Sequence, residues 1–297
     1  MKNRKGYIFR GAATALVTPF KNGEVDFDAL GRLIERQIGC GIDALVICGT
    51  TGESATLSDS EHRAVLSFAL EAARGRVPMI AGTGSNDTAH GIETSRFAAS
   101  LGYDALLVVT PYYNKATDRG LIKSFSAIAD ASECPIILYN VPTRTCCNIT
   151  LPVYRELAKH PNIVAVKEAS GNISAIAELL AECGGELDVY SGNDDQALPM
   201  LSLGGLGVIS VASNIIPTEM AGLCHAWFDG DVIGCREAHE RYLRLMKAMF
   251  YEVNPIPVKT ALSLMGLCSG ELRLPMCEMV GDNREKLSRV LGEYGLI

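Results

Sequence analysis

The 297-residue sequence lacks the features that mark nucleic-acid-binding and membrane proteins. It carries 27 Lys and Arg residues against 34 Asp and Glu, a net charge of −7, and no basic stripe that would bind nucleic acid. No apolar run approaches the ~18 residues of a membrane helix, and the N-terminal segment contains no apolar stretch typical of a signal peptide. These absences predict a cytoplasmic protein whose partners are small molecules.

Motifs for metal binding and redox chemistry are missing as well. The ten cysteines form no C-x-x-C pair, and the five histidines are scattered rather than spaced as metal ligands. We therefore expect no metal and no cofactor. The vicinal pair Cys146 and Cys147 leaves a redox switch open as an alternative to two ordinary loop thiols.

Aromatic residues are scarce, at 6%, whereas glycine is abundant, at 29 residues, which suits many tight turns. Short β-rich runs alternate with amphipathic helical patterns at the spacing of βα units. Most of these runs are continuously apolar, as expected for parallel strands buried on both faces. The eight predicted strands are Ala13–Val17, Ala44–Cys48, Pro78–Ala81, Ala105–Val109, Ile136–Tyr139, Ile163–Lys167, Asp188–Ser191 and Gly207–Val211.

Eight βα units predict an α/β protein with a (β/α)8 TIM barrel over residues 1–225 and a C-terminal helical appendix over residues 226–297. One helix start is marked by the spacing Ser58-x-x-Glu61, which is typical of a capping box. A doubly wound open sheet is the alternative fold, although no G-x-G-x-x-G follows the first strand.

The carboxyl ends of barrel strands carry the residues with chemical potential. Lys167 closes an apolar strand, and a lysine in a barrel core loses water, which favours the neutral amine that attacks a ketone to form a Schiff base. The alternative is a lysine paired with a carboxylate at the barrel mouth. Tyr139 ends the preceding strand, about 4.8 Å away, and can relay protons, unless it is only a core tyrosine.

Two further features suit a small carboxylate. Thr50 and Thr51 lie between glycines, where turn amides and hydroxyls can bind an anion, although an empty βα turn has a similar sequence. Arg144 follows Tyr139 in the next loop and can bind a carboxylate with two hydrogen bonds, although surface arginines are common.

Seven segments spread over nearly the whole chain carry a family resemblance. They are GTTGESATLSDSEH, TPYYNK, LYNVPTRT, IVAVKEASGN, SGND, GVISVASN and NPIPVK, in this order. Together they resemble the dihydrodipicolinate synthase family, within the pyruvate-dependent class I aldolase-like superfamily that includes N-acetylneuraminate lyase. The resemblance implies a (β/α)8 barrel with a C-terminal helical domain, assembled as a homotetramer.

The resemblance also implies a reaction, in which pyruvate condenses with L-aspartate 4-semialdehyde to 4-hydroxy-tetrahydrodipicolinate in diaminopimelate and lysine biosynthesis. Lys167 would form the Schiff base with pyruvate, and Tyr139 would be the general acid and base. Thr51 and Tyr113 would complete a hydroxyl relay, with Tyr113 reaching in from a neighbouring subunit. The implied substrate contacts are Thr50, Thr51 and Ile209 for pyruvate, Gly192 as a lining residue, and Arg144 for the carboxylate of the aldehyde.

Two other functions stay open on the sequence. A related lyase would cleave a 2-keto-3-deoxy sugar acid or sialic acid, and it would share the lysine, the tyrosine and the threonine turn. The arginine in YNVPTRT and the double tyrosine in TPYYN favour the synthase. A catalytically silent barrel, used as a sensor or scaffold, is disfavoured because Lys167 and Tyr139 are both present.

Regulation by lysine is a separate expectation. In lysine-inhibited members an allosteric pocket lies at a subunit interface, and the matching residues are Ser54, Ala55, His62, Asn86 and Tyr112. His90 stands where sensitive members commonly have a glutamate, and Asp59 replaces a residue that is often histidine or lysine. Imidazole is a poorer partner for an ammonium than a carboxylate. We therefore expect weak or absent inhibition, which tight lysine binding in a calorimetric titration would contradict.

Overall fold

The computed structural model describes residues 7–297, and its strands form a closed barrel and a small hairpin. The strands are β1 (Gly11–Ala15), β2 (Phe20–Lys21), β3 (Glu24–Val25), β4 (Ala44–Ile47), β5 (Met79–Gly82), β6 (Ala105–Val109), β7 (Ile136–Asn140), β8 (Ile163–Glu168), β9 (Asp188–Ser191) and β10 (Gly207–Ser210). Strands β2 and β3 pair antiparallel as the hairpin. The other eight are parallel and close in the order β1-β10-β9-β8-β7-β6-β5-β4.

Helices connect the barrel strands and continue beyond them. They are α1 (Phe27–Gly39), α2 (Asp59–Ala73), α3 (Thr88–Leu101), α4 (Asp118–Asp130), α5 (Pro142–Thr145), α6 (Leu151–Leu157), α7 (Ile173–Cys183), α8 (Ala197–Ser202), α9 (Pro217–Phe228), α10 (Val232–Ala248), α11 (Ile256–Leu264) and α12 (Gly281–Glu293). Short 3-10 turns lie at Ser54–Thr56, Asp194–Gln196 and Ala212–Asn214. None of the helices within residues 7–297 is long and apolar enough to cross a membrane.

The predicted (β/α)8 barrel is confirmed, and each of the eight predicted strands corresponds to a barrel strand. The alternative of an open doubly wound sheet is wrong, because β1 hydrogen-bonds to β10 and closes the ring. The first strand begins at Gly11, two residues before the predicted start. Gly11 pairs with Gly207, where a Cβ on Gly207 would lie 1.8 Å from the Gly11 carbonyl oxygen. Apolar patterning misses such a pair, since the two strands meet through glycine backbone.

Both faces of the barrel strands are buried, which explains their continuous apolar runs. In β4, Val46 faces the barrel interior, whereas Leu45 and Ile47 belong to the larger core between strands and helices. Side chains of successive strand residues point to opposite faces, so both sets need to be apolar here.

The predicted capping box is confirmed at the start of α2. The Ser58 hydroxyl accepts from the Glu61 amide at 3.3 Å, and the Glu61 carboxylate accepts from the Ser58 amide at 2.9 Å. Each side chain therefore satisfies an amide that the helix leaves without a partner.

Helix α9 is the eighth helix of the barrel and packs against β1. It runs from Pro217 to Phe228, so a boundary between residues 1–225 and 226–297 falls inside it. Helices α10 to α12 follow, with α10 packed on α9 and α12 packed on α10 and α11. The division into a barrel and a separate helical region stays a prediction.

Candidate active site

Lys167 and Tyr139 are neighbours in the parallel register of β8 and β7. Both side chains are buried, and the Lys167 Nζ lies 4.4 Å from the centroid of the Tyr139 ring. The alternative role of Lys167, an ion pair with a carboxylate, is not among the contacts of residues 7–297. The barrel thus brings an amine and a phenol together in its interior.

The next residue pair along the same two strands points away from the barrel interior. The Glu168 carboxylate accepts from Asn140 Nδ2 at 2.9 Å, from the Tyr154 hydroxyl at 2.8 Å and from the Ser170 amide at 2.7 Å. Burial raises the pKa of the Tyr154 hydroxyl, with the Glu168 charge adding to the effect, so Tyr154 acts as a proton donor. This network fixes the strand ends that carry Lys167 and Tyr139.

The Gly49–Glu53 turn follows β4 and contains both threonines. It is closed by hydrogen bonds from the Gly52 amide to the Gly49 carbonyl at 3.0 Å and from the Glu53 amide to the Thr50 carbonyl at 3.1 Å. Gly52 approaches other backbone closely, since a Cβ there would lie 3.2 Å from the Leu16 carbonyl oxygen. A glycine is therefore needed to seat the turn against the end of β1.

Asn254 joins the threonine turn to the arginine loop. Its Nδ2 donates to the Thr51 hydroxyl oxygen at 3.0 Å, and its carbonyl oxygen accepts from the Arg144 guanidinium at 2.9 Å. Thr51 Oγ1 thereby accepts one hydrogen bond, which leaves its own proton to donate elsewhere. The Asn254 Oδ1 is buried, with no hydrogen-bond partner in residues 7–297.

One cavity of about 410 Å³ collects most of the predicted site residues. The predicted residues that line it are Thr50, Thr51, Tyr139, Arg144, Lys167 and Gly192. A Cβ on Gly192 would lie 3.2 Å from the Lys167 Cε, so this glycine leaves room for the lysine side chain. Asn254 and Phe250 also line the cavity, and the sequence analysis had assigned them no role.

Ile209 and Tyr113 do not line this cavity. Ile209 is fully buried in β10 and packs in the interior cluster that includes Tyr139. Tyr113 has a positive φ of 69° and is 93% exposed, so its side chain points to the surface of the described chain. Contact of Ile209 with pyruvate and entry of Tyr113 into a neighbouring site both stay predictions.

Asp194 fixes the segment that follows Gly192. Its Oδ2 accepts from the backbone amides of Val211 and Ala212 at 3.1 and 2.9 Å. Burial raises the pKa of the Asp194 carboxyl, whereas Ser210 and the two amides oppose the shift. The result is a buried tie between the loop after β9 and the end of β10.

A second cavity of about 430 Å³ lies beside the first and shares Thr50 and Arg144 with it. Most residues of the predicted allosteric pocket line it, namely Ser54, Ala55, His62 and Tyr112, together with His90 and Asp59. Asn86 is not among its lining residues, and the Asn86 carbonyl accepts from Asn114 Nδ2 at 2.8 Å. Burial lowers the pKa of His62, and its Nε2 lies 3.0 Å from the Gly82 carbonyl. Lysine binding here stays a prediction.

Within residues 7–297 no group of three or more His, Cys, Asp or Glu side chains is arranged to hold a metal ion. The ten cysteines are free thiols, with Cys146 exposed and Cys147 buried. A redox role for this pair stays untested.

The fold and the cavity define a (β/α)8-barrel enzyme with a buried lysine at the end of its sixth barrel strand. The sequence profile of the Dihydrodipicolinate synthetase family matches residues 8–294, and the chain belongs to this family. The family resemblance and the expectation of an enzyme are thus confirmed.

Individual relatives match along nearly the full chain. The 4-hydroxy-tetrahydrodipicolinate synthase of Thermoanaerobacter sp. (strain X514) is 51% identical over 291 residues, which cover 98% of each chain. The solved dihydrodipicolinate synthase of Thermotoga maritima is 42% identical, with a TM-score of 0.96 over 98% of this chain and 100% of that one. A structure of the Acinetobacter baumannii enzyme complexed with pyruvate is also 42% identical, with a TM-score of 0.95 over 97% and 99%. These relatives favour the synthase over a sugar-acid lyase.

Asn254 is the site residue that the sequence analysis missed. It begins the segment NPIPVK, which carried part of the family resemblance. The motif itself was therefore the available signal, but nothing in local sequence indicates that Asn254 returns to a turn 203 residues earlier.

Proposed function

We propose that this chain condenses pyruvate with L-aspartate 4-semialdehyde to form 4-hydroxy-tetrahydrodipicolinate, the step that commits carbon to diaminopimelate and lysine. The observation that carries the proposal is the buried pair of Lys167 Nζ and the Tyr139 ring, 4.4 Å apart, in a cavity that Arg144 also lines. Relatives named 4-hydroxy-tetrahydrodipicolinate synthase at 51% identity support it.

The first half of the reaction uses Lys167 as a nucleophile. Its neutral amine adds to the C2 carbonyl of pyruvate, and the carbinolamine loses water to give an iminium. Removal of a methyl proton then yields the enamine. Tyr139 lies beside the amine and transfers these protons, with the Thr50 and Thr51 hydroxyls and Tyr113 of a neighbouring subunit as a relay.

The second half uses Arg144 to orient the aldehyde. Its guanidinium binds the carboxylate of L-aspartate 4-semialdehyde, which brings the aldehyde carbon to the enamine. Carbon–carbon bond formation turns the aldehyde oxygen into a hydroxyl. The substrate amine then displaces Lys167 by transimination, which closes the six-membered ring and returns the free lysine. One water is released in the whole sequence, at the first imine.

The assembly and the compartment belong to this proposal. A homotetramer in the cytoplasm is supported by the exposure of Tyr113 in this chain, because a hydroxyl relay needs that phenol inside a site. The net charge of −7 is compatible with two anionic substrates, since Arg144 and the turn amides supply donors locally.

Borohydride reduction in the presence of pyruvate tests the chemistry. We expect a 1-carboxyethyl adduct on Lys167, located by peptide mass spectrometry, and none on Lys167→Ala. Arg144→Ala is the matched variant for the second substrate. It should still trap pyruvate but lose on the order of 100-fold in kcat/KM for the aldehyde, because a charge-assisted bidentate contact is removed.

Two results would contradict the proposal. An unmodified Lys167 in the reduced enzyme would exclude all Schiff-base chemistry at this site. Full synthase activity in Arg144→Ala would remove the assigned role of the arginine and favour a lyase that acts on another substrate.

A further inference from the structure

Glu53 ends the Gly49–Glu53 turn in an unfavourable backbone conformation. Its φ of +52° and ψ of 35° lie in the left-handed region, where residues other than glycine are strained. Such a conformation persists only where surrounding contacts hold it. The Glu53 amide donates to the Thr50 carbonyl, so the backbone of this residue closes the turn that contains both threonines.

The contact that holds Glu53 comes from the far end of the chain. Lys259 in α11 donates from Nζ to Glu53 Oε1 at 2.5 Å, and the two side chains are 0% and 2% exposed. The Arg273 amide donates to the other carboxylate oxygen at 3.2 Å. Both oxygens of the carboxylate are therefore engaged, and its direction is fixed.

Lys259 is itself held in one position. Its Nζ also donates to the Glu271 carbonyl at 2.8 Å and lies 4.0 Å from the centroid of the Phe20 ring. Burial lowers the pKa of Lys259, whereas the Glu53 charge opposes the shift and favours the ammonium. An ammonium with these three partners cannot move without leaving a buried charge exposed to apolar surroundings.

We propose that Lys259 and Glu53 are positioning residues, through which the C-terminal helical region sets the place of Thr50 and Thr51 beside Lys167. The inference rests on the proposed function, because it assigns those threonines to pyruvate and to the proton relay. Neither Lys259 nor Glu53 touches substrate in this scheme. They act by fixing the turn, and their effect passes through its backbone.

Two single variants separate reach from charge. Glu53→Gln keeps the length of the side chain and loses its charge, whereas Glu53→Asp keeps the charge and withdraws it by one methylene. We expect Glu53→Asp to lower kcat on the order of 10- to 100-fold, since displacements of about 1 Å have effects of this size. Glu53→Gln should keep most of the wild-type kcat while its unfolding temperature falls, because Lys259 is left without a counter-charge.

The matched control is Glu293→Asp, which shortens the carboxylate that pairs with Arg244 at the surface of the same helical region. Its kcat and both KM values should equal those of the wild type. Amide hydrogen exchange gives a readout that stability alone does not move. Peptides covering the Gly52 and Glu53 amides should exchange faster in Glu53→Asp, while peptides from β6 remain protected.

Wild-type kcat in Glu53→Asp, or a larger loss in Glu53→Gln than in Glu53→Asp, would overturn the inference. If Glu53→Asp does not fold, the double variant Lys259→Met with Glu53→Met decides, since an apolar pair can replace a buried ion pair without loss of stability. It should fold and turn over slowly, and wild-type turnover would overturn the inference. A wild-type enzyme that forms no pyruvate adduct refutes the proposed function instead, while hydrogen exchange still reports how the turn is held.

Discussion

At the scale of single residues, the site depends on how little space surrounds Lys167. The lysine stem passes between the Tyr139 ring and the backbone of Gly192. A Cβ on Gly192 would lie 2.6 Å from the Ala169 Cβ and 3.2 Å from the Lys167 Cε. Contacts this short force neighbouring atoms to move, so the glycine determines where the amine can stand.

We therefore predict that Gly192→Ala slows formation of the pyruvate adduct by on the order of 10- to 100-fold, because it displaces the Lys167 amine. The measurement is the rate of borohydride trapping at saturating pyruvate. Gly222→Ala is the control, since a Cβ there meets nothing within 4 Å and the residue lies in α9. A wild-type trapping rate in Gly192→Ala would contradict the prediction.

At the scale of secondary-structure elements, α2 is tied to the C-terminal segment by a single carboxylate. Glu61 accepts from the Ser58 amide within the capping box and from the Arg273 guanidinium, at 2.5 Å to Nη2. The Arg273 hydrogen bond, with support from Ser58, holds the pKa of Glu61 at about 2. The same arginine stacks on Phe20, at 4.3 Å from the ring centroid, so hairpin, helix and C-terminal segment meet here.

The pKa of Glu61 predicts a pH-dependent part of the stability. A carboxyl held below its unfolded value of 4.5 stabilises the fold fully above that pH and loses the effect as the pH falls towards 2. We expect Glu61→Gln to cost about 1–2 kcal/mol of unfolding free energy at pH 6, after allowance for solvent screening.

Urea unfolding at pH 6 and pH 3 measures this cost. The difference between wild type and Glu61→Gln should shrink at the lower pH, whereas Glu71→Gln, at an exposed position of the same helix, should show little difference at either pH. An equal difference for Glu61→Gln at both pH values would show that the ionised carboxylate is not the cause.

At the scale of the whole molecule, one chain does not contain every group that the proposed relay needs. Tyr113 is 93% exposed and lies outside the cavity of Lys167. Its positive φ of 69° aims the segment after β6 outward. A tyrosine held in this way is available to another copy of the chain, which is the arrangement that the homotetramer implies.

We predict that two inactive variants restore activity when they share an oligomer. In a mixture of Lys167→Ala and Tyr113→Phe subunits, a site with an intact Lys167 can receive an intact Tyr113 from its Lys167→Ala neighbour. Co-expression with two affinity tags isolates the mixed oligomers for assay. Each variant purified alone serves as the control and should retain only a small fraction of wild-type kcat. Mixed oligomers no more active than these controls would contradict a role for Tyr113 in a neighbouring site.

The sequence by itself determined what depends on local pattern. Apolar runs located the eight strands, and the rule that barrel sites lie at the carboxyl ends of strands selected Lys167, Tyr139 and Arg144. Strand order then made Lys167 and Tyr139 neighbours, because sequential barrel strands pair. These inferences needed only spacing and chemistry along the chain.

Only the tertiary structure decided which distant residues hold the site together. Asn254 reaches Thr51 across 203 residues, and Lys259 reaches Glu53 across 206. Local pattern treats α11 as one more amphipathic helix, because its buried lysine is satisfied by a carboxylate that lies close only after the barrel has closed. Closure brings the first and last barrel strands together, and with them the C-terminal helices and the turn that they hold.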